Sequence, residues 1–431
     1  MNGRPRQRKA IANYLKALNA RDSKIRSGLR FLRKGWKQPA AQLRRKHVKP
    51  VDIVAVTGSA GKSTTTRIIA AALSNKSDVF HAFGRNTADG IRRSFLTMPR
   101  NSKIWVQEVS GHTYEAMEES LQFIKPTVGV VTMIGMDHIS HYKTKEAIAD
   151  SKGQLVEVLP SHGFAVLNAD DPLVAQMAGR TSAKVVTFGE HPGADVRLIS
   201  HRHGLPERLT LRVSIGNQVT DVKTRFVGPR WTVSVMAAIA AVYALGVSLE
   251  ETAVLIGQVE PELFKDDVYV HDGVTFVMDS YKAPVWSMET SIEILRASNA
   301  RRKLMLIGSL SDYRGSARPK YVQSARAALE VAQIVMFYGP HAQRVRRLVP
   351  EFPDRIFMFE TFPELLAFVK QTLVNGDVFY VKASGADHLE RIMYEFQKPI
   401  LCGLTNCKKL FTCNHCKYLY RKQHRLSREN A

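Results

Sequence analysis

Short apolar runs alternate with longer amphipathic stretches from Val51 to about Pro261. Val51, Ile53, Val54 and Val56 form the first run; "KIWVQEV", "TVGVVTMI" and "GFAVLN" follow. Each is long enough for one strand and is followed by polar or helical sequence. A second series begins after Leu263, with "TFVMDS", "KLMLIGS", "IVMFYG" and "DVFYVKAS" separated by helical spacers such as "SMETSIEILRAS". Strands alternating with helices predict an α/β fold with mostly parallel sheets covered on both faces. The second series predicts a separate, doubly wound, Rossmann-like domain. Ahead of both, residues 9–48 read as helix, with Ile11, Tyr14, Leu15 and Leu18 on one face, then Ile25, Leu29, Leu32 and Trp36. Gly35 and Pro39 punctuate its end. The expected divisions are 1–50, 51–261, 262–401 and a tail at 402–431.

Charge refines this picture. The 431 residues carry a net charge of +23, unevenly placed. Residues 1–50 hold 16 Lys/Arg and one acid, and residues 402–431 hold seven and one, so the body between is nearly neutral. Basic ends suit a polyanion, or they are simply solvated. No run of about 20 apolar residues is present, which argues against a transmembrane helix, and the basic start is not followed by a signal-peptide core. All four cysteines lie between Cys402 and Cys416, and the simplest setting is reducing and cytoplasmic.

The candidate chemistry begins at "VTGSAGKSTTTRII", Val56 to Ile69. An apolar strand stops at Gly58, and Ser59, Ala60, Gly61, Lys62, Ser63 and Thr64 lead into a helix. Glycines let backbone N–H groups converge on an anion, and the helix N-terminus adds partial positive charge. Lys62 is placed to reach phosphates and the Ser63 hydroxyl to ligate Mg²⁺. The general pattern has a further glycine five residues before Gly61, where this chain has none.

Further on, Asp137-His138 follows a strand, Lys152 comes 14 residues after His138, and "NADDP" spans Asn168 to Pro172. In order and spacing, the stretch from Val51 to Ser384 resembles the Mur ligase family, ATP-dependent amide-forming enzymes of peptidoglycan and related peptides. The resemblance implies a P-loop-type central ATPase domain followed by a Rossmann-like C-terminal domain. It implies that Lys62 and Ser63 hold the ATP phosphates and a first Mg²⁺, that Glu108 is an acidic metal ligand, and that His138 binds a second Mg²⁺. Lys152 takes the place of a lysine that is carbamylated in many members. Lys62, His138 and Lys152 are therefore the catalytic candidates. Asn168 and Asp170 would fix nearby loops. Asp312 sits where the family contacts the ribose, unless it caps a helix. Asp279, in "MDSYKAPVW", is a further nucleotide-binding candidate and matches the dipeptide-adding branch together with Ser280 and Tyr281, and Lys382 falls near the amine site.

Departures are equally visible. The family's Gly-x-His-Asn-x-x-Asn segment is Gly228-Pro229-Arg230-Trp231-Thr232-Val233-Ser234 here, with Trp231 offered as a ring to stack on adenine. Lys282, Pro284 and Val285 depart from the dipeptide-adding pattern. About 50 residues precede the phosphate loop, short for the family's UDP-sugar domain, so the acid substrate is expected to differ from a standard UDP-muramoyl peptide. In that respect the chain is similar to the ligase module of cyanophycin synthetase, as is "GRNTADGIRRSF".

The expected activity is an ADP-forming ligation of an acidic or peptide substrate to an amine or amino acid through an acyl phosphate. Two other readings stand beside it: a carboxylate-activating ATPase subunit whose partner replaces the missing domain, and a degenerate body that binds a polyanion. In the tail, Cys402, Cys407, Cys413 and Cys416 offer four thiolates for structural Zn²⁺, with His415 and His424 as substitutes, against surface thiols or a disulfide pair.

Overall fold

The computed structural model describes residues 37–45, 48, 50–82, 84–111, 113–135, 142–409 and 412–421. Most of the basic N-terminal segment, Asp137, His138 and His424 therefore lie outside the described residues. The chain packs as two compact units: residues up to Asp195 with Ala237–Val247, and Val196–Met236 with Ser248–Ala431.

The first unit holds six parallel strands, β1 (Asp52–Thr57), β2 (Val79–His81), β3 (Ile104–Glu108), β4 (Val128–Val131), β5 (Phe164–Asn168) and β6 (Lys184–Gly189). They lie in the order β2-β3-β1-β4-β5-β6. β1, β3 and β4 are almost wholly buried, which is why they read as continuous apolar runs rather than alternating ones. Phe95, Trp105, Ile124, Leu155 and Met177 belong to its core. The described part of the N-terminal segment is a helix, Lys37–Arg45. It runs through Pro39 rather than ending there, because a proline in the first turn forfeits no intrahelical bond. Its basic residues brace the unit. Arg44 donates to Met98 O, Arg45 donates to Ile124 O at 2.6 Å, and the Arg45 guanidinium lies over the Phe95 and Phe123 rings at 5.7 and 5.6 Å.

The second unit opens with an antiparallel meander, β7 (Val196–Gly204), β8 (Glu207–Ile215) and β9 (Gln218–Lys223). This departs from the expected strand–helix rhythm. The intervening turns are two residues long, too short for the crossover a parallel pair requires. Beyond it, a six-stranded sheet comprises β10 (Asp267–His271), β11 (Val274–Asp279), β12 (Arg302–Ile307), β13 (Ile334–Tyr338), β14 (Ile356–Phe359) and β15 (Asp377–Lys382). Its order is β10-β11-β15-β12-β13-β14, parallel apart from the β10–β11 hairpin. Apolar clusters cover both faces, one around Ile292, Tyr321 and Phe337, the other around Phe276, Phe362 and Phe379. Among the described residues no helix is long and apolar enough to cross a membrane.

Candidate active site

The phosphate-loop motif folds as its glycines require. β1 ends at Thr57, Gly58 takes φ +140°, and a Cβ there would lie 2.0 Å from Thr132 Oγ1. Gly61 takes φ +80° and starts the helix Lys62–Ser74 without a side-chain cap. No side chain caps that first turn, and a helix N-terminus behind a glycine-rich turn is the arrangement that accepts an anion. Thr132 Oγ1 donates to Ala60 O at 2.6 Å, and Ser59 N donates to Met133 O at 2.8 Å, pinning the loop to the end of β4. Lys62 Nζ folds back on the loop, donating to Gly58 O at 2.6 Å and Ser59 O at 3.3 Å. The residue five before Gly61, where the general pattern has a glycine, is Val56, a buried member of β1 upstream of the turn.

Ser63 and Glu108 come together. Ser63 Oγ donates to Glu108 Oε2 at 2.6 Å, and Asn86 Nδ2 donates to Glu108 Oε1 at 2.9 Å. Glu108 ends β3, which pairs with β1 so that Val56 lies opposite it. The carboxylate therefore stands at the mouth of the phosphate loop by strand register. A buried carboxylate beside a hydroxyl is a set of hard oxygen donors, the kind Mg²⁺ takes. Lys152 lies buried on the helix Lys145–Glu157. Asn168 and Asp170 hold loops as expected: Asn168 Nδ2 donates to Thr132 O at 2.8 Å, and Asp170 accepts from Glu190 N and His191 N, each at 2.8 Å. Asn86 was not foreseen as a site residue, although it lies within "GRNTADG".

The second unit carries a different arrangement. Asp279 ends β11, and its Oδ2 accepts from Lys382 Nζ at 2.6 Å and from Arg230 Nη1 at 3.2 Å. Arg230 Nε lies 2.5 Å from Asp266 Oδ2, and the Tyr380 hydroxyl donates to Asp266 Oδ1. Burial pushes the Asp266 carboxyl up to about 6 against the pull of Arg230, with Asp279 adding to the rise. The Arg230 guanidinium also covers Trp231, 4.4 Å from its ring centroid, and Phe226 packs 5.5 Å from it. Trp231 is thus a buried, capped ring rather than one presented for base stacking. Asp312 is exposed with φ +55°, and the neighbouring helix has Ser316 at its N-cap position, without a side-chain bond, so Asp312 is not its cap. Tyr281 and Lys282 stand exposed after β11.

Cys402 and Cys413 share a small buried cluster with Cys416 packed against it, but among the described residues no three of the thiols come within metal-ligand distance of one another. Cys413 Sγ turns to His388 Nδ1, Cys416 Sγ to Lys409 Nζ and Cys402 Sγ to Arg391 Nη1. The grouping that forms among the described residues is His388, Glu390 and Cys413.

Comparison with known proteins bears on this geometry. The Mur ligase middle domain matches residues 56–242, and the Mur ligase glutamate ligase domain matches residues 266–385. The chain belongs to the Mur ligase family. It is 27% identical over 390 residues to the UDP-N-acetylmuramoyl-tripeptide–D-alanyl-D-alanine ligase of Mycobacterium tuberculosis (strain CDC 1551 / Oshkosh), covering 81% of this chain and 74% of that one. It is 28% identical over 252 residues to the UDP-N-acetylmuramate–L-alanine ligase of Rhodopseudomonas palustris (strain BisB5), covering 54% and 50%. Among solved structures, MurF from Acinetobacter baumannii superposes with TM-score 0.74 at 20% identity, covering 83% of this chain and 78% of that one. MurF ligase from Thermotoga maritima in complex with ADP gives 0.69 at 21%, covering 85% and 83%. The Mur ligase fold is thereby shown, with relatives that form amide bonds using ATP.

Proposed function

We infer that the chain is an ATP- and Mg²⁺-dependent, ADP-forming ligase that joins a carboxylate to an amine. The observation that carries this reading is the Ser63–Glu108–Asn86 constellation at the mouth of the phosphate loop. The carboxylate oxygen of the acid attacks the γ-phosphorus, the Pγ–O–Pβ bond breaks, and ADP leaves. The amine nitrogen then attacks the carbonyl of the acyl phosphate. A C–N bond forms, the C–O bond to phosphate breaks, and the amine's proton leaves with inorganic phosphate or solvent. Mg²⁺ supplies charge neutralisation at the phosphate oxygens. Ser63 and Glu108 would hold it, with His138 and a carbamylated Lys152 serving a second ion. Lys62 exchanges its two loop carbonyls for phosphate oxygens, and the open helix N-terminus adds backbone N–H donors. Asp312 is the ribose contact in this reading. Asp279 remains assigned to the nucleotide side of the C-terminal domain, held by Lys382 and Arg230.

The class of substrates follows the relatives' names: a peptide-bearing acid and an amino acid or short peptide as amine. Lys282, Pro284 and Val285 depart from the dipeptide-adding pattern and support a different amine from D-alanyl-D-alanine. The full chain, incubated with ATP, Mg²⁺ and panels of acidic peptides and amino acids, is expected to give ADP, phosphate and one new amide. Phosphorus NMR with mass spectrometry reads this. AMP with pyrophosphate would overturn the acyl-phosphate route. ADP without an amide would favour the carboxylate-activating subunit.

A further inference from the structure

The tail joins the C-terminal domain at a cluster that the ligase chemistry does not use. His388 follows the short turn Gly385–Asp387 with φ +53°, a left-handed conformation that a non-glycine residue adopts at some cost. Glu390 begins the next helix, Glu390–Gln397. Cys413 comes from the tail, 23 residues further on. All three are buried, and their ligand atoms lie within 4.8 Å of one another.

The hydrogen bonds fix which atoms face inward. His388 Nε2 is 3.1 Å from Lys409 O, a carbonyl that only accepts, so Nε2 carries a proton. Nδ1 then faces Cys413 Sγ, 3.6 Å away, and Glu390 Oε1, 3.5 Å away. Protons on the thiol and on Nδ1 would satisfy both contacts, and a single metal ion in place of those protons would satisfy them together. The spacing suits a metal. Zn–S of about 2.3 Å and Zn–N of about 2.0–2.1 Å at a tetrahedral angle place sulfur and nitrogen about 3.5 Å apart. Outer contacts complete the pattern. A backbone carbonyl orients the ligating imidazole, and Cys413 N donates to Glu390 Oε1 at 2.9 Å to orient the carboxylate. One carboxylate and one thiolate cancel a divalent charge in a buried place, and neutral imidazole adds none.

We propose that His388, Glu390 and Cys413 form a buried site for Zn²⁺ or a similar borderline transition ion, stapling the tail to the C-terminal domain. This differs from a four-thiolate tail site, since two ligands come from the domain itself. It does not depend on the ligase reading.

The test uses the full chain, with Zn²⁺ and Co²⁺ as probes. Metal analysis after exhaustive dialysis is expected to give about one zinc per chain. Cys413→Ser and His388→Gln should weaken retention against a competing chelator by about 100-fold or more, beyond the 10–100-fold typical of outer-shell partners. Cys407→Ser and Cys416→Ser should retain the ion as the unmodified chain does. Equal losses in all the cysteine variants would overturn the assignment in favour of the four-thiolate site. An unmodified chain that refolds with excess zinc and retains none would overturn it in favour of a proton shared by His388 and Glu390. The Co²⁺ form needs no variant: its thiolate-to-metal charge-transfer band should have the intensity of one thiolate, and the intensity of four would contradict the proposal.

Discussion

Two carboxylates stand at the C-terminal ends of parallel strands, one in each unit, and the donors around them differ. Glu108 ends β3 and accepts from a hydroxyl, Ser63, and an amide, Asn86. Both donors are neutral and satisfy the oxygens without cancelling their charge. Asp279 ends β11 and accepts from two cations, Lys382 and Arg230, in a network that also neutralises Asp266. Strand ends of this kind are where open α/β sheets bind ligands. In the first unit the carboxylate is held in place with its charge available to a metal. In the second the protein supplies the counter-charges itself. A carboxylate at the same topological position thus accepts from neutral donors in one unit and from cations in the other.

The largest expected effect lies on the catalytic side of this contrast. Lys62→Ala should lower ATP turnover by about 10³-fold, the scale of removing a preorganised charge-stabilising donor, with the unfolding midpoint unchanged. Steady-state ADP release and thermal unfolding check both halves. Turnover within about threefold of the unmodified enzyme would remove the phosphate-loop role.

On the architectural side, Asp279→Asn should cost about 3–5 kcal/mol of stability, because Lys382 is left buried without its carboxylate. Urea unfolding measures this. A cost below about 1 kcal/mol would mean that the pair is no stronger than a surface bridge.

Asp266 gives the same network a pH signature. Its folded pKa, raised by burial to about 6, lies above that of an unfolded carboxyl. The folded state therefore binds the proton more tightly, and the network is favoured below the ordinary carboxyl range. Stability should fall as pH rises from about 4 through about 6, by at most about 3 kcal/mol. Asp266→Asn should flatten that slope in a series of urea titrations. An unchanged slope would place the titration elsewhere.

The smallest effect is expected for Ser63→Ala. It removes one neutral oxygen donor, and turnover should drop by about tenfold with a raised Mg²⁺ requirement. A Mg²⁺ titration of the rate reads it, and an unaltered requirement would exclude Ser63 as a ligand.

Much of this was legible in the sequence because it is local. Gly58, Gly61, Lys62 and Ser63 lie within one turn, and strand–turn–helix follows from their order. Glu108 could be placed only through the family resemblance, since a carboxylate at the end of a strand carries no signal of its own. What escaped was non-local. Arg230 stood out as a departure from the family pattern, but its partners Asp266 and Asp279 lie 36 and 49 residues away, on elements whose approach no local pattern encodes. Trp231 was misjudged for the same reason, since Arg230 over its ring is a product of that network. The cysteine spacing pointed to the other cysteines, with His415 and His424 as substitutes, whereas Cys413 faces His388 and Glu390 on the domain. The meander β7–β9 was missed because its strands follow one another without the helical spacers found elsewhere.

Calorimetry of ATP binding to the full chain, with and without Mg²⁺, for the unmodified protein and Glu108→Gln tests the central claim most directly. Glutamine keeps the shape of the side chain and removes the charge. The account predicts that Mg²⁺ tightens ATP binding in the unmodified protein, that Glu108→Gln loses most of this gain, and that affinity without Mg²⁺ is nearly the same in both. An equal Mg²⁺-dependent gain in the two proteins would contradict the assignment of Glu108 as the metal-holding carboxylate.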